Sequence, residues 1–157
     1  MQDFVHLHVH TQYSLLDGQA SVARLVDKAM QNGMKGIAVT DHGNMFGIKE
    51  FTNYVNKKNS GPKGEIKDLK KRLVGIEAGS IECEDKEAEV AACKAKIVEA
   101  ENKLFKPIIG CEMYVARRTM DLKEGKQDQS GYHLIVLAKN ETGYHNLIKL
   151  VSHAWTR

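Results

Sequence analysis

At 157 residues, 42% hydrophobic and 27% charged, the chain has the length and composition of one ordinary globular domain. A net charge of +3 with no run of five basic residues excludes a strongly cationic nucleic-acid tail, and no run of 18 apolar residues exists to span a membrane. The N-terminus lacks the basic-then-apolar pattern of a secretory signal, and the three cysteines (Cys83, Cys93, Cys111) show no CxxC spacing, which excludes a disulfide framework or thiolate zinc site and fits a reducing cytoplasm.

In chain order, Asp3–Thr11 reads DFVHLHVHT. Val5, Leu7 and Val9 alternate with His6, His8 and His10, which is strand periodicity over residues 3–10. SVARLVDKAMQNG then sets Val22, Leu25, Val26, Ala29 and Met30 on one helical face, with Ser21 as N-cap and Gly33 as C-terminal stop. Gly36–Thr40, short and apolar, ends on Asp41-His42-Gly43 and reads as a buried parallel strand. Residues 46–57 read as helix, Pro107–Val115 and His133–Leu137 as two further strands. Tyr144, Leu147, Ile148 and Val151 space out a closing helix. This alternation predicts an α/β fold with a mostly parallel sheet. His10, Asp41-His42 and Glu112 fall where strands end, the place where such folds carry their sites.

Residues 60–106 differ in kind. Between Lys63 and Lys106 basic and acidic residues are equally many, ten of each. Ile66, Leu69, Leu73 and Ile76 follow heptad spacing, as do Val90, Cys93, Ile97, Ala100 and Leu104, with Gly79-Ser80 between the runs. The pattern predicts a charged helical hairpin inserted in the domain and packed as a short antiparallel coiled coil.

Side chains two apart on a strand start about 6.6 Å apart, so two imidazoles can lean onto one ion with bonds of about 2.0–2.1 Å. His6 and His10 start about 13 Å apart and do not easily share one. HxH alone leaves a metal role and a structural role open. Asp41-His42-Gly43 adds a carboxylate and an imidazole at a strand end. Glu112 and His133 sit among apolar neighbours, where an unpaired charge is costly and a cation would offset the cost. Asp17, in Leu-Leu-Asp-Gly, reads as a turn or capping acid or as a ligand. His, Asp and Glu without Cys favour zinc, manganese or iron in hydrolytic sites. His145 and His153 lie off the apolar stripe of the last helix and read as surface residues. GxxxxGK[ST], GxSxG and GxGxxG are all absent, so a nucleotide cradle or serine hydrolase lacks support.

HLHVHTQYSLLDG, AVTDHGNMFG, PIIGCEMYVA and YHLIVLAKNETGYHNL, in that order, resemble the PHP (polymerase and histidinol phosphatase) domain family. The resemblance covers residues 1–59 and 105–157. SLLDG and LAKNETGYHNL look like the branch found at the N-terminus of bacterial replicative C-family DNA polymerases. It implies a distorted, TIM-like (β/α)7 barrel holding up to three divalent metal ions, with zinc, manganese or iron the expected metals. By motif the metal ligands are His8, His10, Asp17, His42, Glu112 and His133, with Asp41 acting beside His42. The implied catalytic set is His8, His10, Asp41, His42, Glu112 and His133, and His6 is a bystander.

The family's late motifs, a His or Cys after a further strand and a closing Asp-x-His, have no counterpart here. The chain is therefore expected to be the N-terminal part of a PHP domain, incomplete at its C-terminal end and without polymerase domains. The intact protein is expected to be a cytoplasmic DNA-directed DNA polymerase that uses Mg in domains absent here. Its partners would be DNA, dNTPs, a proofreading exonuclease subunit and the sliding clamp, with no membrane. The PHP domain would contribute phosphodiester hydrolysis (proofreading or pyrophosphate removal) or support the exonuclease subunit. The rival readings are a free-standing PHP phosphoesterase of the histidinol-phosphatase type and a purely structural interaction module.

Overall fold

The computed structural model describes residues 4–156. In chain order they form α1 (Val22–Gln31), β1 (Gly36–Val39), α2 (Ile48–Lys58), α3 (Ser60–Glu77), α4 (Lys86–Asn102), β2 (Lys106–Val115), β3 (Tyr132–Leu137) and α5 (Glu141–Thr156). A short 3-10 turn, Gly125–Asp128, precedes β3. The fold is mixed α/β, and its contacts divide into two units: Met1–Tyr54 with Lys106–Arg157, and Val55–Phe105.

The first unit is built on a three-stranded sheet in the order β1-β2-β3. β1 and β2 run parallel, with Gly36 opposite Lys106 and Val39 opposite Ile109. β3 is antiparallel to β2, with Gly110 opposite Leu137 and Val115 opposite Tyr132. One of the two pairings thus departs from the expected parallel sheet. The reason lies in residues 116–131, which contain no α-helix to carry the chain back across the sheet. They fold on themselves instead: Asp128 takes the Arg118 guanidinium and the Glu124 backbone N–H, and the chain re-enters antiparallel.

The apolar spacing of α1 is realised in packing. Val22, Val26 and Ala29 are buried, and Ser21 Oγ accepts from the Arg24 N–H at 3.4 Å. Burying a valine completely contributes about 1.5–3 kcal/mol. β1 is buried along its whole length, as a strand covered on both faces should be. From α5, Leu147 and Val151 pack with Cys111 of β2, flanked by Met45, Met113 and Val136. Burial pushes the Cys111 thiol up to about 11, so it remains a protonated, apolar core residue.

The strand expected over residues 3–10 begins outside the described residues, and over 4–10 it is not a regular strand. The segment lies along β1 through two backbone bonds, Ala38 N–H to His6 O and Thr40 N–H to Val9 O, both 2.9 Å. Three residues on one side are thus matched to two on the other. The extra residue breaks the alternation, as in a β-bulge, and Leu7 is half exposed where a regular strand would bury it with Val9.

In the second unit, α3 and α4 pack against each other. Ile76, Cys93, Ile97 and Ala100, all at heptad positions, are buried. The facing flanks carry exposed ion pairs, Arg72–Glu89 at 3.1 Å and Lys70–Glu101 at 3.6 Å among them, which contribute little. Buried Asn59 holds the two ends of the unit. Its Nδ2 donates to Phe105 O at 2.8 Å and its Oδ1 accepts from the Phe105 N–H at 3.0 Å.

Candidate metal centre

Glu112 lies in the middle of β2 and is 5% exposed. Its Oε2 is 2.6 Å from His10 Nε2, 3.3 Å from His8 Nε2 and 3.6 Å from His42 Nδ1. Its Oε1 is 2.7 Å from His133 Nδ1. One carboxylate therefore faces four imidazoles. Burial alone would raise its carboxyl, but hydrogen bonds from His133, His8 and His10 reverse this and hold it below the ordinary range.

The histidines arrive from three directions. His8 and His10 sit on the irregular segment beside β1, two residues apart, with their Nε2 atoms 3.1 Å from each other. That closeness meets the expectation that imidazoles at i and i+2 can lean together. His42 follows β1 and forms an isolated parallel bridge to Glu112, and the Gly43 N–H donates to Glu112 O at 2.9 Å. Gly43 has φ +65°, a turn that costs a side-chain-bearing residue strain. His133 is the second residue of β3 and lies opposite Tyr114.

Asp17 closes the set from a turn. Its Oδ2 is 2.6 Å from His10 Nδ1 and 3.0 Å from His42 Nδ1, and the His42 hydrogen bond is the main cause that lowers its carboxyl. The turn is strained, since Leu16 holds φ +66° with its side chain in solvent. It is also tight: a Cβ at Gly18 would meet Thr11 O at 2.1 Å. His10, Asp17, His42 and Glu112 each offer a ligand atom, and these atoms lie within 4.8 Å of one another.

Asp41 is turned the other way. It is 1% exposed and touches none of the imidazoles. Its Oδ1 accepts from the Thr11 N–H at 2.6 Å and from Ser14 Oγ at 2.7 Å, and Thr11 Oγ1 lies 2.9 Å from both of its oxygens. Ser14 Oγ in turn accepts from the His42 N–H at 3.0 Å. Thr11 and Ser14 thus tie the loop bearing His10 and Asp17 to the turn bearing His42. His6 stays away from the cluster with its ring against Phe4, and His145 and His153 are exposed.

Two further residues border the set. Tyr114 Oη contacts His42 Nε2, and its ring lies 4.8 Å from that of His133. Trp155 donates its indole N–H to Gly43 O at 2.9 Å. Tyr114 was recoverable from the sequence, because it follows Glu112 by two on a strand and so shares its face. Thr11 and Ser14 carry no such periodic signal, and Trp155 continues the apolar spacing of α5, which does not single it out for the site.

A family profile described as PHP domain matches residues 6–97 and 89–157. Three similar proteins are each named DNA polymerase III subunit alpha. That of Treponema pallidum (strain Nichols) is 40% identical over 153 residues, 97% of this chain and 9% of the relative. That of Borreliella burgdorferi is 39% identical over 152 residues, 95% of this chain and 9% of the relative. That of Aquifex aeolicus (strain VF5) is 32% identical over 160 residues, 98% of this chain and 10% of the relative. The chain therefore spans about a tenth of the length of these relatives.

Proposed function

This chain belongs to the PHP-domain family, and from that premise we propose that His8, His10, Asp17, His42, Glu112 and His133 hold divalent metal ions for the hydrolysis of phosphoesters. One observation carries the reading: four ligand atoms from separate parts of the chain converge within 4.8 Å. The donor chemistry fits. Donor separations of 2.6, 3.1 and 3.3 Å among Glu112, His10 and His8 approach the edge, about 3.3 Å, of a tetrahedron with bonds near 2.0 Å. Imidazole and carboxylate together, without thiolate, favour zinc, manganese or iron, and the number of donors suits up to three ions.

When bound, such ions supply Lewis-acid activation of a phosphate ester and of water. The protein's own part is aim. Glu112 presents one oxygen to His8 and His10 and the other to His133, so it would help hold ions beside both groups of imidazoles. Asp17 orients His10 and His42 together. Asp41 holds Thr11 and Ser14, and through them the ligand-bearing loop.

In the wider reading, β1 and β2 begin a (β/α)7 barrel, residues 60–106 are a hairpin inserted into it, and the whole is the PHP segment of a longer replicative polymerase. Similarity to polymerase subunits over 95% or more of the chain supports this over a free-standing phosphatase. That polymerase would be cytoplasmic and use Mg with DNA and dNTPs, alongside a proofreading exonuclease subunit and a sliding clamp. Among the described residues no helix is long and apolar enough to cross a membrane.

Metal analysis after dialysis against zinc, manganese or iron(II) tests the centre. The wild-type chain is expected to retain metal and to melt at a higher temperature with it, and the His10→Ala/Glu112→Gln variant to lose both. A wild-type chain that retains none of the three metals overturns the reading. The longer-polymerase part is checked by the size of the natural protein on an immunoblot, expected at roughly ten times this chain.

A further inference from the structure

Helix α5 reaches the backbone of the turn after His42 through Trp155. Leu147 and Val151 seat it on Cys111 of β2, and Trp155, four residues after Val151 and so on the same face, reaches beyond the sheet. Its indole N–H meets the carbonyl of Gly43, the residue after His42, at 2.9 Å. The Gly43 N–H is already bound to Glu112 O. This residue is thus pinned on both sides, to the strand that carries Glu112 and to the closing helix. Elsewhere the His42 backbone is held by Ser14 Oγ at its N–H and by Asn44 Nδ2 at its carbonyl.

Packing alone does not account for Trp155. It is 66% exposed, and its ring has a tilted aromatic neighbour in Phe46, 6.0 Å away and 64% exposed itself. A large apolar ring left in water, with its one polar atom spent on a specific carbonyl, is placed by that bond.

We propose that Trp155 is a positioning residue of the metal centre: through the Gly43 carbonyl it sets the His42 side of the ligand cluster and makes metal affinity depend on the seat of α5. The inference rests on the metal reading given above. Outer partners that orient ligands typically change metal affinity tenfold or more when lost, and Trp155 acts one bond further out.

The test uses Co2+ alone as the probe, followed by its visible absorption, with three chains: wild type, Trp155→Phe and Phe46→Leu. Trp155→Phe keeps an aromatic ring at the surface and removes the N–H, whereas Phe46→Leu keeps the N–H and removes the ring contact. Trp155→Phe is expected to bind Co2+ roughly three- to tenfold more weakly, with an altered ligand-field band, and Phe46→Leu to stay within about twofold of wild type. In the metal-free protein, the His42 ring-proton resonances should move in Trp155→Phe and not in Phe46→Leu. Wild-type affinity and spectrum in Trp155→Phe, with His42 resonances unmoved, overturn the role of Trp155 and leave the metal centre standing. A wild-type chain that binds no Co2+ overturns both.

Discussion

Thr11, Ser14, Thr40, Asp41, Asn44 and Glu112 are buried polar residues of the unit that carries the candidate metal centre, whereas the helix pair of residues 55–105 buries only Asn59 among the described polar side chains. The helix pair is held by a periodic apolar stripe, with its charges outside. The centre is held by hydroxyls and carboxylates inside, and among the described residues no buried side-chain polar atom lacks a partner. Apolar burial is tolerant of small displacements, while hydrogen bonds fix direction. The contrast teaches how each unit is held: one by cohesion, and the other by directed bonds that bring six side chains to one place.

On this contrast, a buried acid should matter more than a buried aliphatic. Asp41→Ala orphans the Thr11 N–H and removes the partner of both hydroxyls, so unfolding by urea is expected to show a loss of about 4 kcal/mol. Metal retention should fall with it, because Ser14 no longer holds the His42 turn. Ile97→Ala removes a side chain that is 8% exposed in the helix pair and is expected to cost about 3 kcal/mol through transfer and cavity terms. Its metal retention should equal wild type. Equal losses of metal in the two variants would erase the distinction between the units.

The same contrast explains what the sequence disclosed. In the helix pair the burial period is the sequence period, so Ile76, Cys93, Ile97 and Ala100 could be read directly. At the centre, residue chemistry singled out His8, His10, Asp17, His42, Glu112 and His133, and these lie together in the fold. Their support was not visible. Thr11 and Ser14 are small hydroxyl residues of an aperiodic loop, whose value depends on a carboxylate some thirty positions later. Asp41 stands next to His42 in the chain, yet neighbours on extended backbone face opposite sides, and the carboxylate points inward while the imidazole points to the cluster. The irregular segment reads as a strand because its alternation is perfect on paper. The extra residue between His6 and Val9 appears only when β1 is alongside.

Asn59 is the exception within the helix pair, and it tests whether direction matters there at all. Its amide mimics a ladder rung to Phe105, joining the residue before α3 to a residue just after α4. Asn59→Ala leaves a buried N–H and carbonyl of Phe105 without partners and is expected to cost about 2 kcal/mol in thermal or urea unfolding. Native-state hydrogen exchange should then rise first in residues 55–105. A uniform rise across both units would mean that the helix pair has no independent closure.

The ion pair within residues 116–131 should show the least. Asp128 binds the Arg118 guanidinium and the Glu124 N–H, and these bonds hold its carboxyl below the usual value, with Arg118 the main cause. A depressed carboxyl stabilises the fold above its unfolded pKa, about 4, and that contribution disappears as pH falls through the lower folded value. Wild type should therefore melt slightly above Asp128→Asn at pH 7, and the gap should close below about pH 4. Because the pair folds residues 116–131 back toward β3 without touching the ligands, metal retention at pH 7 should be the same in both chains. A difference in melting that persists unchanged to pH 2 would show that the side chain acts by shape, not charge.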